Sequence, residues 1–282
     1  MIQRTLTTIV LWLALIGLLW KFESTAAVGI VTLLSLLTQH EFYVMLRSTG
    51  QRPFRKLGLV LGAAIILIPW IRRLVGHTRD IAGLMAALLA LAIIICCIRI
   101  LREREPEQRV ETLASTLFGV IYVPFMMHFL VEIFFLTPDA TAGLLLAVWL
   151  VVVVKFGDVG ALLIGTAFGR HKMAPTISPK KSWEGLAGGL LVATLAGTGL
   201  VVALRPHFPP QFTPLASVLI AVPIALLGVL SDLVESMIKR KADMKDSGRT
   251  VPGIGGAFDL TDSIILPAPV ACLVFSWLLH SA

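Results

Sequence analysis

Charge is scarce in this chain. Only 15% of its 282 residues are Asp, Glu, Lys or Arg, where a soluble globular domain carries about a quarter. No stretch reads as a soluble domain, and there is no internal repeat or low-complexity tract. Short alternating strands are missing as well, which argues against a transmembrane β-barrel. Cysteine is rare: Cys96, Cys97 and Cys272 all sit inside apolar runs. The adjacent pair has no metal-binding neighbours, so the three read as small packing residues. The N-terminal stretch has Arg4 before an apolar run but no small-residue cleavage site, so it is expected to stay as a first span. No basic patch is interleaved with aromatics, and no nucleic-acid partner is expected.

What the chain does have is apolar length. Hydrophobic residues make up 57% of it, in recurrent runs as long as a hydrocarbon core demands of a helix. The fold class is all-α: a polytopic transmembrane helical bundle of about nine spans with cytoplasmic loops. The spans are expected near 5–20, 24–38, 57–71, 81–101, 113–136, 141–169, 186–204, 215–236 and 263–280. The third carries Pro69. The sixth is long, contains Lys155, Gly157, Asp158 and Gly160, and is expected to be broken or tilted. Residues 1–140 read as an N-terminal set of helices, and 141–282 as the region holding the chemistry, with loops 169–185 and 237–262.

Seventeen of the 24 Lys and Arg fall in or beside the second, fourth, sixth and eighth connections, and five in the odd ones. Basic excess marks the cytoplasmic side. The N-terminus and the even connections are therefore expected to face the cytoplasm. Orientation, together with attraction to anionic headgroups, accounts for a sequence pI near 9.7.

Two cytoplasmic regions exceed what topology requires. The first, GRHKMAPTISPKKSWEGLAGG (169–189), sets Arg170, Lys172, Lys180, Lys181, Ser178 and Ser182 on a loop stiffened by Pro175 and Pro179. Such lysines suit a multiply charged phosphate, although a plain positive-inside loop would look similar. His171 and His207 read as ordinary loop histidines.

The second region begins with Asp232, Glu235, Ser236 and Lys239, at i, i+3, i+4 and i+7 on one helix face. A Glu235–Lys239 pair would explain Glu235 but leave Asp232 without a partner, at a membrane boundary where acids are costly. Residues 239–263 follow, with five bases, four acids and four glycines among 25 residues. Asp259 and Asp262 are three apart at the start of the last helix, where an acid commonly caps. Glycines such as Gly255 and Gly256 let backbone N–H groups approach a phosphate. Asp232, Asp246, Asp259 and Asp262 offer the oxygen ligands that Mg²⁺ takes. By itself this pattern points to a divalent metal and phosphate at the membrane surface.

At these residues the chain resembles the phosphatidate cytidylyltransferase family, the CDP-diacylglycerol synthases. The family's Ser-x-x-Lys-Arg-x4-Lys-Asp is matched by Ser236, Lys239, Arg240, Lys245 and Asp246. Its Pro-Gly-His-Gly-Gly-x-x-Asp-Arg-x-Asp is matched by Pro252, Gly253, Gly255, Gly256, Asp259 and Asp262. The upstream DVGALLIGTAFGRHKMAPTISPKKSWEG is similar to the family's Asp-x-Gly-Ala through Ser-Pro-Lys-Lys-x-Trp-Glu-Gly stretch. The close match covers roughly 150–265, with Glu41-Phe42-Tyr43 as a further likeness. Two positions depart from it. Ile254 stands where the family has His, and Leu260 where it has Arg; neither can bind a proton or clamp a phosphate.

The resemblance implies transfer of a cytidylyl group from CTP to phosphatidic acid, giving CDP-diacylglycerol and pyrophosphate. It implies Asp246, Lys245, Lys239 and Asp259 as catalytic residues, and Asp232, Asp246, Asp259 and Asp262 as ligands of one or two Mg²⁺ ions. Ser178, Lys180, Lys181, Arg240, Gly255, Gly256 and Asp158 would contact substrate, with Lys155 pairing with Asp158 one turn away. CTP, phosphatidic acid and membrane lipids are the expected partners, a bacterial inner membrane the expected location, and a homodimer is left open. The rival readings are a CTP-dependent lipid kinase, a cytidylyltransferase for another lipid phosphate, an inactive scaffold, and a transporter using Lys155 and Asp158.

Overall fold

A computed structural model describes residues 2–76, 81–102, 108–244, 246–248, 250 and 255–280, with side chains from residue 25 onward. Helix dominates. In chain order the elements are α1 (Ile2–Ser48), α2 (Arg55–Leu74), α3 (Ile81–Leu101), α4 (Arg109–Val120), a π-helical turn (Ile121–Phe125), α5 (Met126–Ile133) and α6 (Ala140–Phe168). A hairpin follows, β1 (Lys172–Ala174) and β2 (Ser178–Ser182), then α7 (Trp183–Ala203), α8 (Pro214–Lys241), α9 (Ala257–Ile265) and α10 (Pro267–His280).

Seven helices among the described residues are long and apolar enough to cross a membrane, or eight if the bent pair α9 and α10 counts as one span. Each of the eight spans expected from residue 24 onward has a helix over it. The chain is an integral membrane protein. The first expected span, 5–20, lies where side chains are not described, and the break expected near residue 21 is absent from the backbone, because α1 is one continuous helix. Of the two alternatives expected for the sixth span, broken or tilted, the break is absent: α6 runs unbroken over 29 residues, about 44 Å at helical rise. Pro124 lies in the π-helical turn between α4 and α5, where the wider ladder accommodates the missing N–H.

The chain forms two compact units, residues 1–128 with 241–261, and residues 129–240 with 262–282. In the first, the core is aromatic: Phe42 packs edge-on to Phe118 and Phe258, at ring separations of 5.5 and 5.9 Å, and Phe118 stacks on Tyr122. The buried Tyr43 hydroxyl donates to the Thr116 carbonyl at 2.8 Å, and Gln39 donates to the Gly58 carbonyl at 2.9 Å. In hydrocarbon, such bonds fix helix register where apolar contact alone would not.

In the second unit Trp149 packs edge-on to Phe212 and Phe275. Its indole N–H donates to the Ser217 hydroxyl at 2.9 Å and to the Gly197 carbonyl at 3.1 Å. Small residues bring α6 against α7. A Cβ on Gly160 would stand 2.6 Å from Val192 Cβ, and one on Gly188 would stand 2.5 Å from Ile164 Cβ. Both are closer than real carbon contacts, so the helices approach at backbone distance.

Candidate active site

The loop expected at 169–185 is partly a hairpin. Lys172 pairs with Ser182 and Ala174 with Ser178 across β1 and β2. Side chains alternate along a strand, so adjacent Lys180 and Lys181 separate: Lys180 is exposed, while Lys181 turns inward. Ser182 closes the hairpin and caps α7, accepting from the Gly185 N–H at 3.2 Å. Glu184, in the first turn of α7, accepts from the backbone N–H groups of Arg170 and His171, and its carboxylate meets His171 Nδ1 at 2.5 Å. The hairpin is thus tied to the helix that follows it. Arg240, at the end of α8, donates to the Ile177 carbonyl at its turn, at 3.4 Å.

Helical spacing places Asp232 and Glu235 on the same face of α8, and α9 supplies Asp262. One carboxylate oxygen of each lies within 4.8 Å of the others. Glu235 is wholly buried, and Asp262 nearly so. Three carboxylates this close in a poorly solvated place repel unless cations intervene. Lysines do intervene. Lys181 meets Asp232 at 2.5 Å, Lys239 meets Glu235 at 2.7 Å, and Lys155 stands 3.9 Å from both Asp158 and Asp262 while donating to the Ser263 hydroxyl at 2.8 Å. Among the described residues, three lysines face these four carboxylates, one negative charge in excess. Oxygen-only donors with surplus charge suit a hard divalent cation. Beside them a cavity of about 240 Å³ is lined by Asp158, Lys181, Ser182, Asp232 and the apolar Leu162 and Leu186.

Of the expected metal ligands, Asp232 and Asp262 belong to this group, and Glu235 joins them. The Glu235–Lys239 pair is present as expected, but it does not exhaust Glu235, and Asp232 finds its partner in Lys181 from the hairpin. Asp246 lies exposed on a bend of the segment after α8. Lys245 and Ile254 lie outside the described residues. Leu260 is half-buried on α9.

Asp259 has local work. It is the third residue of α9, and its carboxylate accepts from the N–H of Gly256 at 2.9 Å and of Ser247 at 3.2 Å, the reach-back of a capping box. The Gly256 N–H, expected to be open to a phosphate, is therefore taken. Gly255 has φ +133°, which favours glycine, and a Cβ there would also crowd the Asp259 carboxylate.

Glu41 had no role assigned from sequence. It is buried near the end of α1, with 4% of its surface exposed. It accepts from the Ser247 hydroxyl and the Phe258 N–H, both at 2.9 Å, and from the Thr250 hydroxyl. One carboxylate thus gathers three points of the 247–258 segment. An acid closing a long apolar span, behind Thr38, Gln39 and His40, is the signal that could have found it.

The family model of the cytidylyltransferases matches residues 2–278 of this chain. The chain belongs to the cytidylyltransferase family. It is 32% identical over 264 residues to the phosphatidate cytidylyltransferase of Mycobacterium bovis, covering 89% of this chain and 80% of that protein. Similarity to the enzyme of that name from Mycobacterium tuberculosis is also 32% over 264 residues, covering 89% and 75%. The Bacillus subtilis phosphatidate cytidylyltransferase is 36% identical over 151 residues, 54% of each chain. The family assignment and the interleaved Asp, Glu and Lys side chains point to the same chemistry, the handling of a polyphosphate.

Proposed function

We propose that this membrane protein transfers the cytidylyl group of CTP to phosphatidic acid, releasing pyrophosphate. The observation that carries the reading is the Asp232–Glu235–Asp262 group threaded with Lys155, Lys181 and Lys239, in a chain of the cytidylyltransferase family. A lipid phosphate oxygen attacks the α-phosphorus of CTP; the new P–O bond forms as the bond to the bridging α–β oxygen breaks, and the electrons leave with pyrophosphate. The nucleophile is already an anion near neutral pH, so no strong base is needed. The demand is positioning and charge stabilisation.

Asp232, Glu235 and Asp262 are the residues that would hold a divalent cation, and their all-oxygen donor set fits Mg²⁺. Such an ion, when bound, supplies electrostatic stabilisation of the polyphosphate. Lys181 and Lys155 already sit against carboxylates, so their ammonium groups are preorganised for phosphate oxygens entering beside them. Lys180, exposed on the hairpin, together with Ser178, Arg240 and Lys239, is assigned to phosphate contacts, and Asp158 to the polar wall of the cavity. Asp246, Lys245 and Asp259 are assigned catalytic roles on the motif alone, and Gly255 and Gly256 substrate contact on the same ground, with the Gly256 N–H having first to leave Asp259. The basic excess of the even connections supports a cytoplasmic site, and the reading places it at a bacterial inner membrane.

The test is purified protein in detergent with labelled CTP, phosphatidic acid and Mg²⁺. CDP-diacylglycerol with one pyrophosphate per turnover is expected, abolished in Asp262→Asn and Asp246→Asn proteins that keep their fold. CDP with a newly phosphorylated lipid would mark a kinase instead, and no turnover by the wild-type chain would remove the enzymatic reading.

A further inference from the structure

Lys155 lies near the middle of α6, a helix of 29 residues, where a lysine is costly unless its charge is met. A simple i,i+3 ion pair would draw its ammonium onto Asp158. Instead Nζ stands 3.9 Å from a carboxylate oxygen of Asp158 on α6 and 3.9 Å from one of Asp262 on α9. Its short contact is with the Ser263 hydroxyl, to which it donates at 2.8 Å. An ammonium held by a hydroxyl between two carboxylates from different helices has the oxygen surroundings that a bound hard cation takes.

Asp262 belongs to two groups at once. With Asp232 and Glu235 it forms the carboxylate group whose oxygens lie within 4.8 Å of one another. With Asp158 it flanks Lys155. Two-metal sites set their cations about 3.5–4 Å apart, a spacing at which neighbouring ions share acids in this way. Here a side chain already fills the second position. A divalent ion bound by Asp158 and Asp262 would need their oxygens at about 2.1 Å, with an ammonium lodged between them. Like charges so close in a poorly solvated place repel strongly.

We propose that Lys155 is a built-in cation standing where a second metal ion would bind, so that this site takes one divalent cation and not two. The inference deepens the cytidylyl-transfer reading and rests on it for the assignment of the Asp232–Glu235–Asp262 group. Unlike a second ion, the ammonium is present at every ion concentration, and its removal should open the place it fills.

The test counts ions in the absence of substrate. Mn²⁺, which like Mg²⁺ takes carboxylate and water oxygens, is titrated into the full chain in neutral detergent, and free Mn²⁺ is read by electron paramagnetic resonance. The wild-type chain should bind one ion, held at least about tenfold more weakly in Asp262→Asn. Lys155→Gln, which can still bond the Ser263 hydroxyl, should bind two, and Lys155→Arg one. Lys155→Gln/Asp158→Asn should return to one, because the second ion has lost a ligand. Lys155→Ser gives the same count as Lys155→Gln if the latter does not fold. Two ions on the wild-type chain would overturn the inference whatever the variants do, as would none, or an ion that Asp262→Asn leaves unweakened. One ion on a folded Lys155→Gln protein would overturn it too, leaving the lysine a structural ion pair. Turnover is measured separately. A wild-type chain that makes CDP-diacylglycerol while holding two ions sinks this inference alone, and one that shows the expected counts but never uses CTP sinks the catalytic reading alone.

Discussion

Removing the Glu41 carboxylate should release the segment that carries Asp246 and the start of α9. Glu41 is 96% shielded and accepts from the Phe258 N–H and from the Ser247 and Thr250 hydroxyls. Hydrogen bonds to a charged group contribute about 1.5–3 kcal/mol each, and an orphaned buried donor costs about 1–3 kcal/mol. The hydroxyls can rotate toward other acceptors, but the Phe258 amide is fixed by the helix and cannot. Glu41→Ala is therefore expected to cost about 3 kcal/mol locally, which is roughly 150-fold in the opening equilibrium. Glu41→Gln keeps an acceptor for Phe258 and should cost only about 1 kcal/mol, or about fivefold. Amide hydrogen exchange of the 246–258 segment in detergent measures the opening directly. Exchange at Phe258 in Glu41→Ala within about threefold of wild type, with α1 still protected, would refute the reasoning, because the carboxylate would then not be what holds the segment.

Lys181→Met removes the ammonium 2.5 Å from Asp232 and should lower cytidylyl transfer at least about 100-fold, with Lys181→Arg partly active; near-wild-type turnover in the Met variant would take Lys181 out of the site. Gly188→Ala puts a methyl against Ile164 and should cost about 1–3 kcal/mol, seen as a thermal midpoint lower by several degrees, whereas Gly199→Ala, with open space around it, should leave the midpoint unchanged or slightly higher. His171→Ala breaks a contact whose His partner is 79% exposed, and turnover should stay within about threefold of wild type, as surface substitutions usually do.

Much of the site was legible because its signals are local. The i, i+3 spacing of Asp232 and Glu235, and the i+4 spacing to Lys239, follow from helix geometry alone. The lysine-bearing loop and the spaced aspartates were equally visible. What spacing could not supply was the third coordinate. Asp259 and Asp262 are only three residues apart, yet Asp259 turns to Gly256 and Ser247 while Asp262 meets Lys155. Glu235 looked satisfied by its own helix neighbour until Asp262 was brought beside it.

The sequence by itself determined the class of the protein and its helices, because a hydrocarbon core imposes a length and an apolarity that can be read residue by residue. It also determined the family, through motifs of fixed spacing. Only the tertiary structure decided which charges neutralise which: that Lys181 from a hairpin serves Asp232, that Lys155 stands between Asp158 and Asp262, and that Glu41 holds a segment some 210 residues away in the chain. The physical reason is that apolar patterning fixes where each helix lies along the membrane normal but not its rotation or neighbours. In hydrocarbon those are set by close packing at glycines and by a few buried polar pairs, neither of which leaves a periodic mark on the sequence.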